Sequence, residues 1–173
     1  MSVAGSGRAL RVAIVGAGLM GRWHARYARR AGADIAAIVD SDAEAARRLR
    51  ARHPSAATFR DLTAMLAGDP PDIAHVCTPT GTHAEIARRL LSGGMHVLVE
   101  KPLAASVEET SDLMREADAH GVLVCPVYQF PFQRGFERAR ERLKSMGRPV
   151  RAEFIICSSG GERLSGGDRK SVV

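Results

Sequence analysis

The chain has 173 residues, of which 45% are hydrophobic, and this length and composition predict one full globular domain with room for part of a second. The net charge is +6, but the arginines are spread over predicted helical faces with acidic residues between several of them, and they are not interleaved with aromatic residues. This pattern favours a solvated surface and argues against a nucleic-acid partner.

The first residues and the cysteines predict the compartment. Residues 1–7 are small and polar, without the apolar core of a signal peptide, and no run of 18 apolar residues follows. We therefore expect a cytoplasmic protein with no membrane partner. The three cysteines, Cys77, Cys125 and Cys157, are widely spaced and lie in or beside apolar runs. They are expected to be buried reduced thiols, and neither a disulfide framework nor a metal site is predicted.

The first apolar run, residues 12–15, leads directly into a glycine-rich turn and then into a helical pattern. The glycines have the GxGxxG spacing, in which the first allows the tight turn, the second lets a pyrophosphate approach the backbone, and the third lets helix and strand pack closely. The free N–H groups and the dipole at the helix start favour the negative phosphates. A dinucleotide site is therefore favoured over a purely structural turn. The predicted phosphate-binding residues are Gly16, Gly18, Leu19, Met20 and Gly21.

Asp40 follows the next apolar run, residues 35–39, and lies 19 positions after Gly21. At this distance from the glycine turn, a carboxylate can accept hydrogen bonds from the ribose hydroxyls of the adenosine. Asp40 therefore joins the predicted cofactor site.

Strand and helix patterns then alternate along the chain. Continuously apolar runs, typical of strands covered on both faces by helices, predict strands near residues 11–16, 34–39, 72–77, 95–100 and 122–127. Helical patterns lie near residues 20–31, 42–52, 61–67, 83–92 and 106–119. A capping-box pattern begins at Ser106, and Gly121 is a natural helix stop. The alternation predicts an α/β fold with a doubly wound parallel sheet, the Rossmann arrangement.

Two further segments follow predicted strands: Thr78-Pro79-Thr80-Gly81-Thr82-His83 and Glu100-Lys101-Pro102. In open α/β sheets, ligands bind beyond the carboxyl ends of the strands. Both segments are therefore expected at the same crevice as the glycine turn.

With these segments the chain resembles the Gfo/Idh/MocA family of oxidoreductases. The resemblance covers roughly residues 8–145 and rests on four motifs in the family's order: the glycine turn, the acidic residue after the second strand, Thr-Pro-x-x-x-His and Glu-Lys-Pro. It implies a nicotinamide-dependent enzyme that acts on sugars, polyols or related hydroxy compounds.

The resemblance also implies roles for single residues. The glycines would cradle the pyrophosphate, and Asp40 would favour NAD by repelling the 2′-phosphate of NADP. Thr78, Pro79 and His83 would line the nicotinamide side, and Glu100 would contact a cofactor ribose.

Lys101 is the predicted catalytic residue. Its ammonium would polarise a substrate carbonyl or relay the proton that accompanies hydride transfer. The alternative is a solvated surface lysine, which we disfavour because the chain has only three lysines and this one lies in the motif. A cis peptide bond before Pro102, as proposed for such segments, would aim Lys101.

The remaining aromatic and histidine candidates are given smaller roles. His24 is expected to pack on the first helix, and no pair among His53, His75, His96 and His120 has the spacing of metal ligands. Tyr128, at the end of a strand, is interpreted as either a substrate contact or a packing residue.

The pattern changes after residue 127. A helix is predicted at 132–146 and a lone strand at 150–158, while residues 159–173 are glycine-rich and polar. We expect a dinucleotide-binding domain at 8–127, a linking helix and the first strand of a truncated α+β substrate domain at 128–158, and a disordered tail at 159–173.

The predicted function is hydride transfer between NAD(H) and a sugar, polyol or related hydroxy or keto compound. The family's second domain carries an Asp-x-x-x-His segment, and no histidine follows His120 here. The alternative is therefore a non-catalytic NAD(P)-binding or regulatory module, completed by a second copy in a homo-oligomer or by another chain.

Overall fold

The structure of the protein is a computed structural model that describes residues 8–148 and Arg151. Apart from Arg151, the predicted strand at 150–158 and the tail at 159–173 lie outside the described residues. The described chain divides into two compact units, with the boundary between Tyr128 and Gln129.

The first unit is built on a six-stranded sheet in which every neighbouring pair of strands is parallel. The strands are β1 (Arg11–Val15), β2 (Asp34–Val39), β3 (Ala57–Phe59), β4 (Ile73–Val76), β5 (His96–Val99) and β6 (Val124–Pro126). Their order across the sheet is β3-β2-β1-β4-β5-β6. The direction in which strands are added therefore reverses between β1 and β4, which is the point where doubly wound sheets open a ligand crevice.

Five helices of the first unit cover the two faces of the sheet. They are α1 (Leu19–Arg30), α2 (Ala43–Arg50), α3 (Leu62–Leu66), α4 (His83–Ser92) and α5 (Val107–His120), and a 3₁₀ turn at Thr80–Thr82 precedes α4. The second unit contains a 3₁₀ turn at Phe130–Phe132 and helix α6 (Arg134–Leu143).

Alternate residues of the central strands feed two separate cores. Val12 and Ile14 of β1 belong to a cluster with apolar residues of α1 and α2, whereas Ala13 and Val15 belong to a cluster with residues of α3, α4 and α5. The continuous apolar runs seen in the sequence are thus explained by burial on both faces. This arrangement confirms the predicted Rossmann fold.

The two signals predicted for the helix at 106–119 are present in α5. The Ser106 Oγ accepts a hydrogen bond from the Glu109 N–H at 3.1 Å, and the Glu109 carboxylate accepts one from the Ala105 N–H at 2.9 Å. Gly121 ends the helix in the left-handed conformation, with φ of 65°. These contacts satisfy backbone groups that have no partner inside the helix.

The amino ends of the central strands are joined by ion pairs. Asp72, just before β4, accepts hydrogen bonds from the Arg8 guanidinium at 2.6 and 2.9 Å and from the Arg11 N–H at 2.7 Å. The hydrogen bond from Arg8 lowers the pKa of Asp72. The Arg11 guanidinium also contacts Asp69 at 2.6 Å. We call Arg8, Arg11, Asp69 and Asp72 the amino-end rim.

The structure differs from the sequence predictions in two details. Strand β3 was not predicted, and the other strands agree with the predicted ranges to within two residues at each end. The predicted burial of Cys125 is wrong, because this residue of β6 is exposed; within the described residues, β6 pairs with a neighbouring strand on one side only. None of the helices within the described residues combines the length and apolar character that a membrane span requires.

Candidate functional site

A cavity of about 650 Å³ lies at the carboxyl ends of the central strands. Its wall includes seven of the residues predicted from sequence: Gly16, Gly18, Leu19, Met20, Asp40, Thr78 and Pro79. The predicted residues Gly21, His83, Glu100 and Lys101 are not part of this wall.

Two glycines of the turn are required by close contacts with neighbouring backbone. Gly16 has a φ of +95°, and a Cβ built on it would lie 2.8 Å from the carbonyl oxygen of Cys77. A Cβ on Gly21 would lie 1.9 Å from the carbonyl oxygen of Gly16. Contacts this short are excluded for real side chains, so both positions need glycine for steric reasons.

Gly18 differs from these two glycines because it lines an open space. A Cβ added there would meet nothing within 4 Å, and the residue lies in the cavity wall at the N-cap of α1. No side chain caps this helix, so its first N–H groups, which lack acceptors within the helix, stay available. The space, the free donors and the positive end of the dipole fit a pyrophosphate.

Asp40 is held beside the same turn by two backbone amides. Its Oδ2 accepts a hydrogen bond from the Ala17 N–H at 2.7 Å, and its Oδ1 accepts one from the Asp42 N–H at 2.9 Å. The Asp40 N–H in turn donates to the Phe59 carbonyl of β3 at 3.1 Å. The carboxylate therefore orders the glycine turn and keeps further lone pairs toward the cavity.

Several other residues of the cavity wall were missed by the sequence analysis. Leu62 and Ile86 contribute apolar surface, and Ser41, Arg60 and Arg89 contribute polar groups. The Arg60 guanidinium lies 3.5 Å from the Ser41 carbonyl oxygen. Arg60 follows β3, the strand that the sequence did not indicate, so no motif pointed to it.

His83 is buried at the start of α4 and joins two of the predicted segments. Its Nδ1 lies 2.8 Å from the Pro102 carbonyl oxygen, and its Nε2 lies 2.8 Å from the Thr78 carbonyl oxygen. The structure thus brings the Thr-Pro and Glu-Lys-Pro segments together through one imidazole. The peptide bond between Lys101 and Pro102 is cis, as the resemblance implied.

Glu100 is buried in a group of polar side chains. One carboxylate oxygen lies 3.0 Å from His24 Nε2, and the other accepts a hydrogen bond from the Lys101 N–H at 3.2 Å. The His24 ring also contacts His75, with 3.2 Å between their Nδ1 atoms. The Lys101 side chain is exposed.

Burial sets the charge states of two further groups here. Burial and, to a lesser extent, the neighbouring His24 lower the pKa of His75 to about 4. Burial, followed by the charge of Glu100, raises the pKa of the Cys77 thiol to about 12. At neutral pH His75 is therefore uncharged, and Cys77 is a protonated, unreactive thiol.

The contact between His24 and Glu100 was not predicted, although the sequence held a signal for it. Gly21, Ala25 and Ala28 form the buried face of α1, and His24 follows Gly21 by one helical turn. A polar residue on a buried face needs a buried partner.

Among the described residues, no group of three or more His, Cys, Asp or Glu side chains is arranged to hold a metal ion.

Comparison with known proteins connects this geometry to a family. The family model GFO_IDH_MocA, described as an oxidoreductase family with an NAD-binding Rossmann fold, matches residues 10–128. The NADP⁺-dependent scyllo-inositol 2-dehydrogenase IolU of Bacillus subtilis is 31% identical over 123 residues, covering 71% of this chain and 38% of the relative. The D-glucoside 3-dehydrogenase of Escherichia coli is 32% identical over 136 residues, covering 78% of this chain and 39% of the relative.

Solved structures give the same result. GenD2 from gentamicin A biosynthesis, solved with NAD, has a TM-score of 0.76 at 32% identity and covers 85% of this chain and 44% of its own. The WlbA dehydrogenase of Bordetella pertussis, solved with NADH and UDP-GlcNAcA, has a TM-score of 0.76 at 27% identity and covers 80% of this chain and 42% of its own. The chain spans about two fifths of the length of these proteins. The chain therefore belongs to the Gfo/Idh/MocA family of oxidoreductases and carries its NAD(P)-binding Rossmann domain.

Proposed function

We propose that this chain binds NAD(H) in the cavity beside Gly18 and forms the cofactor-binding part of an oxidoreductase. The observation that carries the proposal is the open space at the start of α1, lined by Gly18 and flanked by the Asp40 carboxylate. The pyrophosphate would lie against the first N–H groups of α1, and the ribose hydroxyls would donate to Asp40.

The substrate class follows from the relatives. The two curated relatives described above are named as dehydrogenases of an inositol and of a glucoside. We propose that the present chain acts on a sugar, polyol or related hydroxy or keto compound. The bound nicotinamide would accept or supply the hydride.

Within this function the remaining predicted residues have proposed roles. Lys101 would hold or move the proton at the substrate oxygen. It is exposed and follows the carboxyl end of β5, at the same edge of the sheet as the cavity. Thr78 and Pro79, in the cavity wall, would line the nicotinamide side. His83 and Glu100 are buried, so we propose that they act on the cofactor through the segments that they hold.

NAD is the proposed cofactor in preference to NADP, since the Asp40 carboxylate would repel a 2′-phosphate. The same wall, however, carries Arg60 and Arg89, whose guanidinium groups are suited to pair with a phosphate. A comparison of NADH with NADPH affinity therefore tests the assignment directly.

A second candidate is a non-catalytic NAD(P)-binding module. Lys101 is the single catalytic group that the sequence suggests. Such a module would be completed by a second copy or by another chain. For either candidate we propose a cytoplasmic location, where thiols such as Cys77 stay reduced.

The test is a titration of the purified chain with NADH and NADPH, followed by fluorescence, and then an assay of sugars and polyols for NAD⁺ reduction. We expect saturable NADH binding that is tighter than NADPH binding. Turnover that disappears in Lys101→Met, with NADH affinity retained, supports the oxidoreductase; binding without turnover supports the module. A chain that binds neither nucleotide contradicts both candidates.

A further inference from the structure

Three buried polar side chains from three separate elements meet behind the cavity. His24 comes from α1, His75 from β4 and Glu100 from the end of β5, and each is about nine-tenths buried. The two imidazole rings meet edge to face, with centroids 5.2 Å apart and planes at 81°. None of the three lines the cavity wall. Burial of this much polarity is costly unless each group has a definite partner.

Elementary chemistry restricts the donors and acceptors of this group. An ionised carboxylate only accepts, so the 3.0 Å contact with Glu100 places a proton on His24 Nε2. The 3.2 Å contact between the two Nδ1 atoms needs one proton, carried either by His24 or by His75. Because the pKa of His75 is about 4, His75 is neutral and can carry its one ring proton at this position.

The Glu100 carboxylate is also hydrogen-bonded to the backbone of Lys101. The second carboxylate oxygen accepts the Lys101 N–H at 3.2 Å, so a continuous hydrogen-bonded path runs from His75 through His24 and Glu100 to the Lys101 backbone. The same helix α1 begins at the glycine turn, five residues before His24. The helix that faces the cofactor phosphates is thereby bonded to the segment that carries Lys101.

We propose that His24 is a positioning residue: its Nε2–H, with the ring held by His75, fixes the Glu100 carboxylate and through it the backbone from which the Lys101 side chain leaves. His24 is not a catalytic residue in this proposal, since it acts through Glu100. The link to Lys101 chemistry rests on the proposed function, whereas the proton positions and the hydrogen-bonded path do not.

The first test uses the unmodified chain without any ligand. Two-bond ¹H–¹⁵N spectra of the histidine-labelled protein at neutral pH report which ring nitrogen carries the proton, and His24→Gln and His75→Asn assign the signals. We expect a proton on His24 Nε2, whichever ring carries the proton shared by the two Nδ1 atoms. A His24 ring protonated on Nδ1 alone overturns the proposal, because its Nε2 could not donate to Glu100.

The second test measures the Lys101 amide by hydrogen exchange in three variants. His24→Phe removes the donor, His24→Gln keeps an N–H donor near the Nε2 position, and His120→Gln alters an exposed histidine as the matched control. We expect exchange at Lys101 to rise about tenfold in His24→Phe and to stay near the original rate in the other two variants. Leu113, buried in the core, monitors global stability. Equal acceleration at Lys101 and Leu113 would mean a merely structural role and overturns the proposal.

The third test follows the Lys101 side chain. The chain has three lysines, so ¹³C-methylation of the amines gives a simple spectrum, assigned with Lys101→Arg. We expect His24→Phe and Glu100→Gln to shift the Lys101 signal alike, with no further shift in the double variant, because both cut the same path. Independent, additive shifts overturn the proposal. Failure of NADH to bind would contradict the proposed function alone, since none of these three readouts uses the nucleotide.

Discussion

At the scale of single residues, Asp40 has two tasks that a substitution must separate. Its carboxylate accepts the Ala17 N–H of the glycine turn and the Asp42 N–H at the start of α2. The same group is proposed to accept the ribose hydroxyls. Loss of the side chain therefore affects the turn itself as well as any direct contact with a nucleotide.

For Asp40 we predict different outcomes for Ala and Asn. Asp40→Ala should weaken NADH binding about tenfold or more and also lower the melting temperature, because it removes charged hydrogen bonds and leaves the Ala17 N–H unpaired. Asp40→Asn keeps an acceptor for Ala17, so it should retain more stability while losing discrimination against NADPH. Fluorescence titrations with both nucleotides and thermal melts measure the two effects. Unchanged discrimination in Asp40→Asn would argue against the role in cofactor choice.

The glycine turn gives a matched pair of predictions. Gly21→Ala should destabilise the fold by roughly 1–3 kcal/mol or more, because its Cβ would lie 1.9 Å from the Gly16 carbonyl oxygen. Gly18→Ala should fold normally, since its Cβ meets nothing within 4 Å, yet it should weaken NADH binding by filling the proposed phosphate cradle. Urea denaturation and NADH titration of both variants measure these effects. Normal NADH affinity in Gly18→Ala would place the phosphates elsewhere.

His75 gives a prediction about acid stability. Its pKa is about 4 in the folded protein and 6.5 as the ordinary value, so between these pH values the unfolded chain binds more protons. The stability contributed by the neutral ring is therefore present above pH 6.5 and is lost as the pH falls towards 4, by at most about 3 kcal/mol. His75→Asn should flatten this part of the pH profile in urea denaturation experiments.

A second histidine bears on the assignment to His75. The pKa of His53 is also lowered, chiefly by burial, so His53 likewise reduces stability as the pH falls. Because His53 is still present in His75→Asn, part of the acid slope should persist. If His75→Asn keeps the full acid slope, the buried ring is not its source.

At the scale of elements, α5 depends on its capping box. Ser106→Ala should cost about 1 kcal/mol, because the Glu109 N–H loses its acceptor. Ser111→Ala is the control: the Ser111 Oγ donates to the Val107 carbonyl oxygen within the helix, and alanine has the higher helix propensity there. Urea denaturation should show a larger loss of unfolding free energy in Ser106→Ala than in Ser111→Ala. Equal losses would contradict the capping role of Ser106.

The elements that sequence reasoning found and missed differ in length and burial. β1 and β2 are continuous apolar runs buried on both faces, so their pattern stands out from the flanking glycines and polar residues. β3 has three residues, Ala57–Phe59, none of them fully buried, and a run this short has no readable period. It is nevertheless part of the site, because its Phe59 carbonyl oxygen accepts the Asp40 N–H.

In the candidate site, the residues of the sequence motifs could be predicted, whereas contacts between distant elements could not. Backbone geometry at strand ends could be predicted, since the carboxyl ends of parallel strands meet at one edge. Contacts such as His24 with Glu100, or Arg60 beside Ser41, depend on how distant elements pack. They join positions 76 and 19 residues apart, and spacing alone does not encode them.

At the scale of the whole molecule, the cavity belongs to one unit of the chain. Every residue of its wall precedes Tyr128, where the first unit ends. We predict that a chain limited to residues 8–128 unfolds cooperatively and binds NADH within about threefold of the affinity of the full chain. Calorimetry and fluorescence titration test this. Loss of cooperative unfolding would mean that later residues complete the fold of the first unit.

The parallel sheet also assigns different tasks to its two ends. The cavity and the proposed chemistry lie where the strands finish, whereas the amino-end rim of Arg8, Arg11, Asp69 and Asp72 ties together the places where they start. The rim takes no part in the cavity wall. A surface linkage engineered beside the rim would orient the molecule on an electrode or bead with the proposed nucleotide pocket towards the solution. Because the six strands are parallel, attachment at the rim would give every molecule of a nucleotide biosensor the same orientation.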